Sequence, residues 1–232
     1  ADFLATLHGT PDIAGGRAMQ TLRVAVNADS LATWFLPGVR DALKRHRLLL
    51  DLVVDDQDYT LEALKQGEVV GCVTSVQAAM PGCVTVPLGT MRYQCVAAPA
   101  LIDRWRLASG HVSVHRMLRS PAVVFNRKDG LQDLFLKTHF QITHAPYPRH
   151  FVPAVDAFEC AIAEGLGWGM VPEVSLNTRL TPEACAPIFP AMWVDVPLVW
   201  HHWLKASNTT QQLTKAIQRA AADRLRRHLF VS

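Results

Sequence analysis

Asn27, Asp29, Ser30 and Thr33 stand directly behind a short apolar run, Leu22 to Val26, and their types and spacing suit the capture of a small zwitterion. The run reads as a buried strand. The polar residues after it are good N-cap types, and a helical apolar pattern then begins, so the strand feeds the start of a helix. A helix start presents backbone N–H groups without acceptors and a partial positive charge, which suits a carboxylate. Ser30 is the strongest candidate: its hydroxyl and the following N–H groups would bind that carboxylate, where the plainer role is a simple cap. Asp29 either holds an ammonium or guanidinium group or only caps. Asn27 and Thr33 read as walls of the same pocket, and Trp34 as core with one face toward it. Together these residues suggest an amino-acid pocket.

Further candidates lie at other strand ends. Thr74 and Ser75 close the third apolar run, and in open α/β sheets ligands sit beyond the carboxyl ends of strands. The alternative is an ordinary strand-end hydroxyl bonded to backbone. Pro153-Ala154-Val155-Asp156 precedes a helix, so Asp156 is both a natural N-cap and the acid best placed to meet a cationic side chain across a cleft. Asn126 and Arg127 follow the run 121–125; Arg127 would repel a cationic ligand unless it met the carboxylate. Glu159, one turn beyond Asp156, reads as a solvated face.

The elements that must position these residues alternate. Strand 22–26, a helix near 30–46, strand 48–54, a short helix near 60–66 and strand 69–74 give a β-α-β-α-β order, which favours a parallel sheet. Pro37 falls early in the first helix, where it is tolerated or gives a kink. Apolar runs 83–88 and 92–98 follow. A second α/β unit holds helices near 113–118, 130–139 and 156–164 with strands 121–125, 150–153 and 168–171. Residues 173–196 read as loop, strand 197–204 and an amphipathic helix over 208–228 end the chain, and this last pair can complete the first unit. The expected organisation is α/β with two Rossmann-like lobes, 21–98 plus 200–232 and 99–199, the chain crossing twice between them. Residues 1–20 read as detached, with Phe3, Leu4 and Leu7 ending a helix and Gly9-Thr10-Pro11 and Gly15-Gly16 forming a linker.

Bulk properties narrow the classes. Half of the 232 residues are hydrophobic and 19% charged, enough for a core. A net charge of +3 is mild for a chain whose own partner is nucleic acid. The nearest basic stripe, Lys215, Arg219, Arg224, Arg226, Arg227 and His228, reads as the solvated face of the last helix. Five cysteines without CxxC spacing, mostly in apolar runs, point to a reduced, cytoplasmic compartment. No apolar run approaches the ~18 residues of a membrane span, and no secretory leader is expected. No cofactor or metal is expected either. Gly165-Leu166-Gly167-Trp168-Gly169 follows a helix and opens a strand, the reverse of a dinucleotide loop. His139, His144 and His150 lack metal-ligand spacing. No nucleophile–base pair appears, so an enzyme is not expected.

The words Val24-Ala25-Val26-Asn27-Ala28-Asp29-Ser30-Leu31-Ala32-Thr33-Trp34 and Gly67-Glu68-Val69-Val70-Gly71-Cys72-Val73, with Ser30 seven residues before Pro37, resemble the effector-binding region of LysR-type transcriptional regulators. Within them the chain looks like the arginine/lysine-responsive group, which includes regulators of basic amino-acid exporters and the inhibitor of chromosome initiation. Pro121-Ala122-Val123-Val124-Phe125 before Asp129, Glu164-Gly165 before Met170-Val171-Pro172, and Trp200-His201 add support over residues 21–230. The resemblance implies a type II periplasmic-binding-protein-like fold, with lysine or arginine as effector in the interlobe cleft. It also implies a homodimer or higher oligomer formed through residues near 31–46 and 48–54. Contact with DNA would run only through an N-terminal winged helix-turn-helix that these residues do not include, residues 1–20 resembling the end of its linker. The alternative is a periplasmic-type amino-acid solute-binding protein with the same fold and pocket.

Overall fold

The structure is a computed structural model that describes residues 19–54, 57–176 and 178–227. The helix end and linker expected within residues 1–18, and His228, lie outside the described residues. The chain divides into two compact units. The first runs to Thr90 and resumes at Pro197; the second is Met91–Val196.

In the first unit β1 (Gln20–Val26) leads into a helical run made of α1 (Ala28–Ser30), a π-helical turn (Leu31–Phe35) and α2 (Leu36–His46). The π turn has a local cause. Pro37 has no N–H to offer the Thr33 carbonyl four residues back, and its ring crowds that carbonyl, so the helix widens just before it. After β2 (Leu48–Val53) come α3 (Gln57–Lys65) and β3 (Gly71–Thr74). β1 lies between β2 and β3, parallel to both. Next in chain order is β4 (Cys83–Ala97), one strand where the sequence suggested two runs. The apparent break is Gly89: at φ 130 it keeps the strand continuous, and a Cβ there would sit 2.8 Å from the Arg226 carbonyl oxygen.

The second unit contains α4 (Pro99–Trp105), α5 (Val114–Met117), β5 (Ala122–Val124), α6 (Leu131–Phe140), β6 (Arg149–Phe151), α7 (Val155–Ala163), β7 (Gly169–Pro172), α8 (Glu173–Leu176) and β8 (Ala186–Pro187). α4 was not foreseen. The stretch 173–196 is also more ordered than expected, since it holds α8 and β8 and the start of β9 (Trp193–Trp203), which begins four residues earlier than read. β9 returns the chain to the first unit, where it pairs antiparallel with β3. α9 (Asn208–Arg224) follows, capped by Ser207, whose Oγ accepts the Thr210 N–H at 3.1 Å; it ends earlier than the expected 228.

Each unit has its own core. Ala25, Ala63, Leu64, Val69, Cys72 and Met80 form one; Val96, Val123, Phe158, Ala161, Ile162, Val171 and Cys185 form the other. The glycine-rich stretch after α7 serves this second core. Gly165, at φ 77, ends the helix in a Schellman motif, its N–H bonded to the Ile162 carbonyl and the Leu166 N–H to the Ala161 carbonyl. Gly167 lies so close to the Pro121 carbonyl that a Cβ would come within 2.2 Å of its oxygen.

The buried thiols make alkaline stability a readout of these cores. Burial pushes the Cys72 and Cys185 thiols from 9.0 up to about 12, helped at Cys72 by neighbouring Cys83 and at Cys185 by the Glu159 charge. The folded state keeps protons that the unfolded chain releases, so the stabilisation is complete below about pH 9 and is lost as pH rises through 12. Denaturant unfolding at pH 8, 9 and 10 should show a loss of about 1.4 kcal/mol from each of these thiols at pH 10. Cys72→Ala and Cys185→Ala should each flatten that slope; an unchanged slope would contradict the assignment.

Candidate functional site

The first unit gathers six of the eight candidate residues at one sheet edge. β1 and β3 run parallel with Val26 level with Val73, so their carboxyl ends stop side by side. Asn27, Asp29, Ser30 and Thr33 follow the end of β1, while Thr74 and Ser75 close β3. Strands so paired lie about 4.8 Å apart, which brings the two groups within reach of one small molecule.

The helix start differs from the expected cap. Asn27, not Ser30, is the N-cap residue, with extended backbone (φ −64, ψ 148), and its side chain makes no capping bond. Ser30 lies inside the first turn. The first intrahelical bond runs from the Leu31 N–H to the Asn27 carbonyl, so the N–H groups before it have no acceptor within the helix. Thr33 turns its hydroxyl back onto the helix, donating to the Asp29 carbonyl at 2.6 Å.

Three polar atoms on this helix face are buried without any hydrogen-bond partner: Asn27 Oδ1, Ser30 Oγ and Trp34 Nε1. Their spacing of three and four residues places them on one side of the helix. Ser30 is 0% and Trp34 1% exposed. An unpaired buried polar group costs about 1–3 kcal/mol, and such groups are rare in folded chains. One acceptor, one indole donor and one hydroxyl able to do either are thus desolvated and left open together. Trp34 is core, as its apolar spacing indicated, but its N–H belongs to this group, which spacing alone did not show.

The neighbouring strand end is held by residues that the sequence did not single out for that purpose. Thr74 is buried and its Oγ1 accepts the Val76 N–H at 3.2 Å, the backbone-bonding alternative. The Val76 carbonyl accepts a hydrogen bond from His201 Nε2 at 2.8 Å, which requires the proton on that nitrogen; Nδ1 then accepts the Thr85 hydroxyl at 3.0 Å. His201, fully buried on β9, therefore pins the turn that carries the half-buried Ser75.

The two remaining candidates sit in the second unit, at the carboxyl edge of the parallel pair β5 and β6. Asn126 forms the turn there, its Oδ1 accepting the Lys128 and Asp129 N–H groups at 2.8 and 3.1 Å. Arg127 lies over the Phe151 ring, 4.7 Å from its centroid. Asp156 is not the N-cap of α7; Ala154 is, because Val155 already has a helical place. Asp156 is 88% exposed in its side chain and forms an ion pair with Arg179. Glu159 is not a solvated face either. Only 5% exposed, it accepts Arg179 Nε–H at 2.8 Å, because burial one turn into α7 leaves its charge in need of a counterion. The two carboxylates raise the Arg179 pKa further, Glu159 first, against the opposing effect of burial.

Among the described residues no group of three or more His, Cys, Asp or Glu side chains is arranged to hold a metal ion, and no helix is long and apolar enough to cross a membrane.

The model of the LysR substrate binding domain matches residues 15–222. The chain belongs to this family. It is 37% identical over 204 residues to the HTH-type transcriptional regulator ArgP of Pseudomonas fluorescens, covering 88% of this chain and 67% of that one. A solved structure of the C-terminal domains of a LysR family protein from Agrobacterium tumefaciens superposes with a TM-score of 0.82 at 33% identity, over 90% of this chain and 99% of that one. Full-length LysG from Corynebacterium glutamicum with bound effector Arg gives 0.77 at 33% identity, over 89% and 69%. The chain thus has the two-lobe, periplasmic-binding-protein-like α/β fold of LysR regulatory domains, as expected from the resemblance. It is the effector-binding region of a transcriptional regulator of the ArgP and LysG type, and the family is one of regulators, not enzymes.

Proposed function

We propose that this chain senses a basic amino acid, arginine or lysine, and that Asn27, Ser30 and Trp34 receive its α-carboxylate and α-amino groups. The observation that carries this reading is the set of three buried, partnerless polar atoms at the start of one helix. A carboxylate there meets the Ser30 hydroxyl, the indole N–H and the first-turn amides, with the helix dipole favouring its charge. Asn27 Oδ1 accepts from the ammonium group. Thr33, Thr74 and Ser75 form the surrounding wall, and Asn126 is a further polar candidate. Asp29 and Asp156 are the acids assigned to the ligand's cationic groups. Ligand binding shifts the population between conformations that differ in affinity for it.

The signal passes through a dimer, or a higher oligomer, built on α2 and β2. Supporting this, β2 is an edge strand of its sheet, and Leu36, Leu49 and Val54 are large hydrophobic side chains exposed there. DNA contact belongs to a helix-turn-helix part such as the relatives' names state, and the working compartment is the cytoplasm.

Titration calorimetry with arginine, lysine and citrulline tests the reading, with light scattering of the same samples for the assembly. Arginine or lysine should bind at least tenfold more tightly than citrulline, which keeps the zwitterion and loses the side-chain cation. Equal affinity for all three would remove the two acids from the site, and no heat from any would end the amino-acid reading.

A further inference from the structure

We propose that Arg179 is a built-in competitor for Asp156, so that the second unit's exposed acid is an exchange position at which a ligand cation replaces one arm of a resident guanidinium. This rests on the basic-effector reading above. The grip of Arg179 on its two carboxylates is unequal. Its Nε–H is bound to Glu159 Oε2 at 2.8 Å, and that carboxylate's side chain is 7% exposed, while one terminal nitrogen reaches Asp156, whose side chain is 88% exposed. The backbone on either side is fastened too: the N–H groups of Thr178, Arg179 and Leu180 all bond to the Ser175 carbonyl, Arg179 and Leu180 at 2.9 Å. Glu159, buried and charged, needs Arg179 to stay where it is. Asp156 does not, since water and any incoming cation reach it.

The consequence is a raised threshold for cationic ligands. Two carboxylates and one guanidinium leave a net charge of −1 within this trio, which favours an incoming cation. To bind Asp156 fully it must displace the Arg179 arm, and the hydrogen bond lost is replaced by the one formed. A neutral side chain has nothing to exchange and leaves the resident pair intact. Arg179 thereby lowers affinity for every cationic ligand and sets the concentration at which the sensor responds.

Two variants separate this competition from a structural role. Arg179→Lys keeps a positive charge for Glu159, but a single ammonium lacks the fork that spans both carboxylates. Arg179→Met with Glu159→Gln removes the buried pair as a neutral unit and also leaves Asp156 unheld. In both, calorimetry of the whole chain should show arginine binding tightened by about three- to fivefold with citrulline unchanged, in keeping with the modest strength of an exposed ion pair. An arginine-to-citrulline affinity ratio that is unchanged or lower in both variants, with wild-type binding intact, overturns the competitor role and leaves the effector reading standing. A wild-type chain that does not bind arginine overturns both.

Discussion

Ser30→Ala is expected to weaken arginine binding tenfold or more while leaving the fold as stable as before, or more stable by about 1 kcal/mol. The two effects have opposite signs because the hydroxyl is buried and has no partner within the chain. Ordinary loss of a cap or of a core hydrogen bond lowers stability; removal of a desolvated, unpaired hydroxyl relieves a cost. Binding responds the other way, since a hydrogen bond to a charged group contributes about 1.5–3 kcal/mol, or roughly a factor of ten to a hundred. Urea unfolding and calorimetry on the same preparation read both. Ser175→Ala is the companion variant: its Oγ is equally buried and partnerless, but it lies in the second unit on α8, outside the proposed contacts. It should match Ser30→Ala in stability and keep wild-type affinity. A fall of more than about 1 kcal/mol in Ser30→Ala would show that the fold itself uses the hydroxyl, and unchanged affinity would remove Ser30 from the site.

Gly71→Ala should cost about 3 kcal/mol, seen as a lower urea midpoint with unchanged slope. A Cβ at this position in β3 would lie 2.4 Å from two carbons of the Trp200 ring and 2.7 Å from the His201 carbonyl oxygen. The ring cannot step aside. Trp200 is fully buried, its Nε1–H donates to Thr214 Oγ1 at 3.0 Å, and that hydroxyl donates onward to the Thr210 carbonyl on α9. Making room for one methyl group therefore breaks the Trp200–Thr214 bond or spreads β3 from β9, and β3 carries Thr74 and Ser75 at its end. Wild-type stability in this variant would mean that β3 and β9 are less closely packed than described.

How much of this was legible in the chain itself varies with the range of the interaction involved. The order of strands and helices follows from apolar spacing, a local property, and the two-lobe α/β class and the family expected from it are those found. The junction at Asn27 to Ser30 was visible because an apolar run stops there and a helical period starts. Its detail was not: Asn27 and Ser30 are both good cap types, and only backbone torsion shows that Asn27 takes the position. β4 read as two runs because Gly89-Thr90 interrupts the apolar pattern; a glycine within a strand and a glycine in a turn look alike until φ is known.

By itself, the sequence determined which side chains stand at strand ends, which helices face inward, and to which family the chain belongs. All of these depend on neighbours within a few residues or on whole words of sequence. Tertiary structure alone decided how charges and polar atoms are paired. Glu159 is buried because the chain folds Arg179 onto it from twenty residues away, and Asp156 is held by the same guanidinium. His201 fixes the turn after β3 from 125 residues beyond Val76. Whether Ser30, Asn27 and Trp34 find partners depends on every group that packs around them, and none of it does. A hydrogen bond is short and directional, so its partner is selected by three-dimensional placement, which the spacing of residues along the chain does not encode.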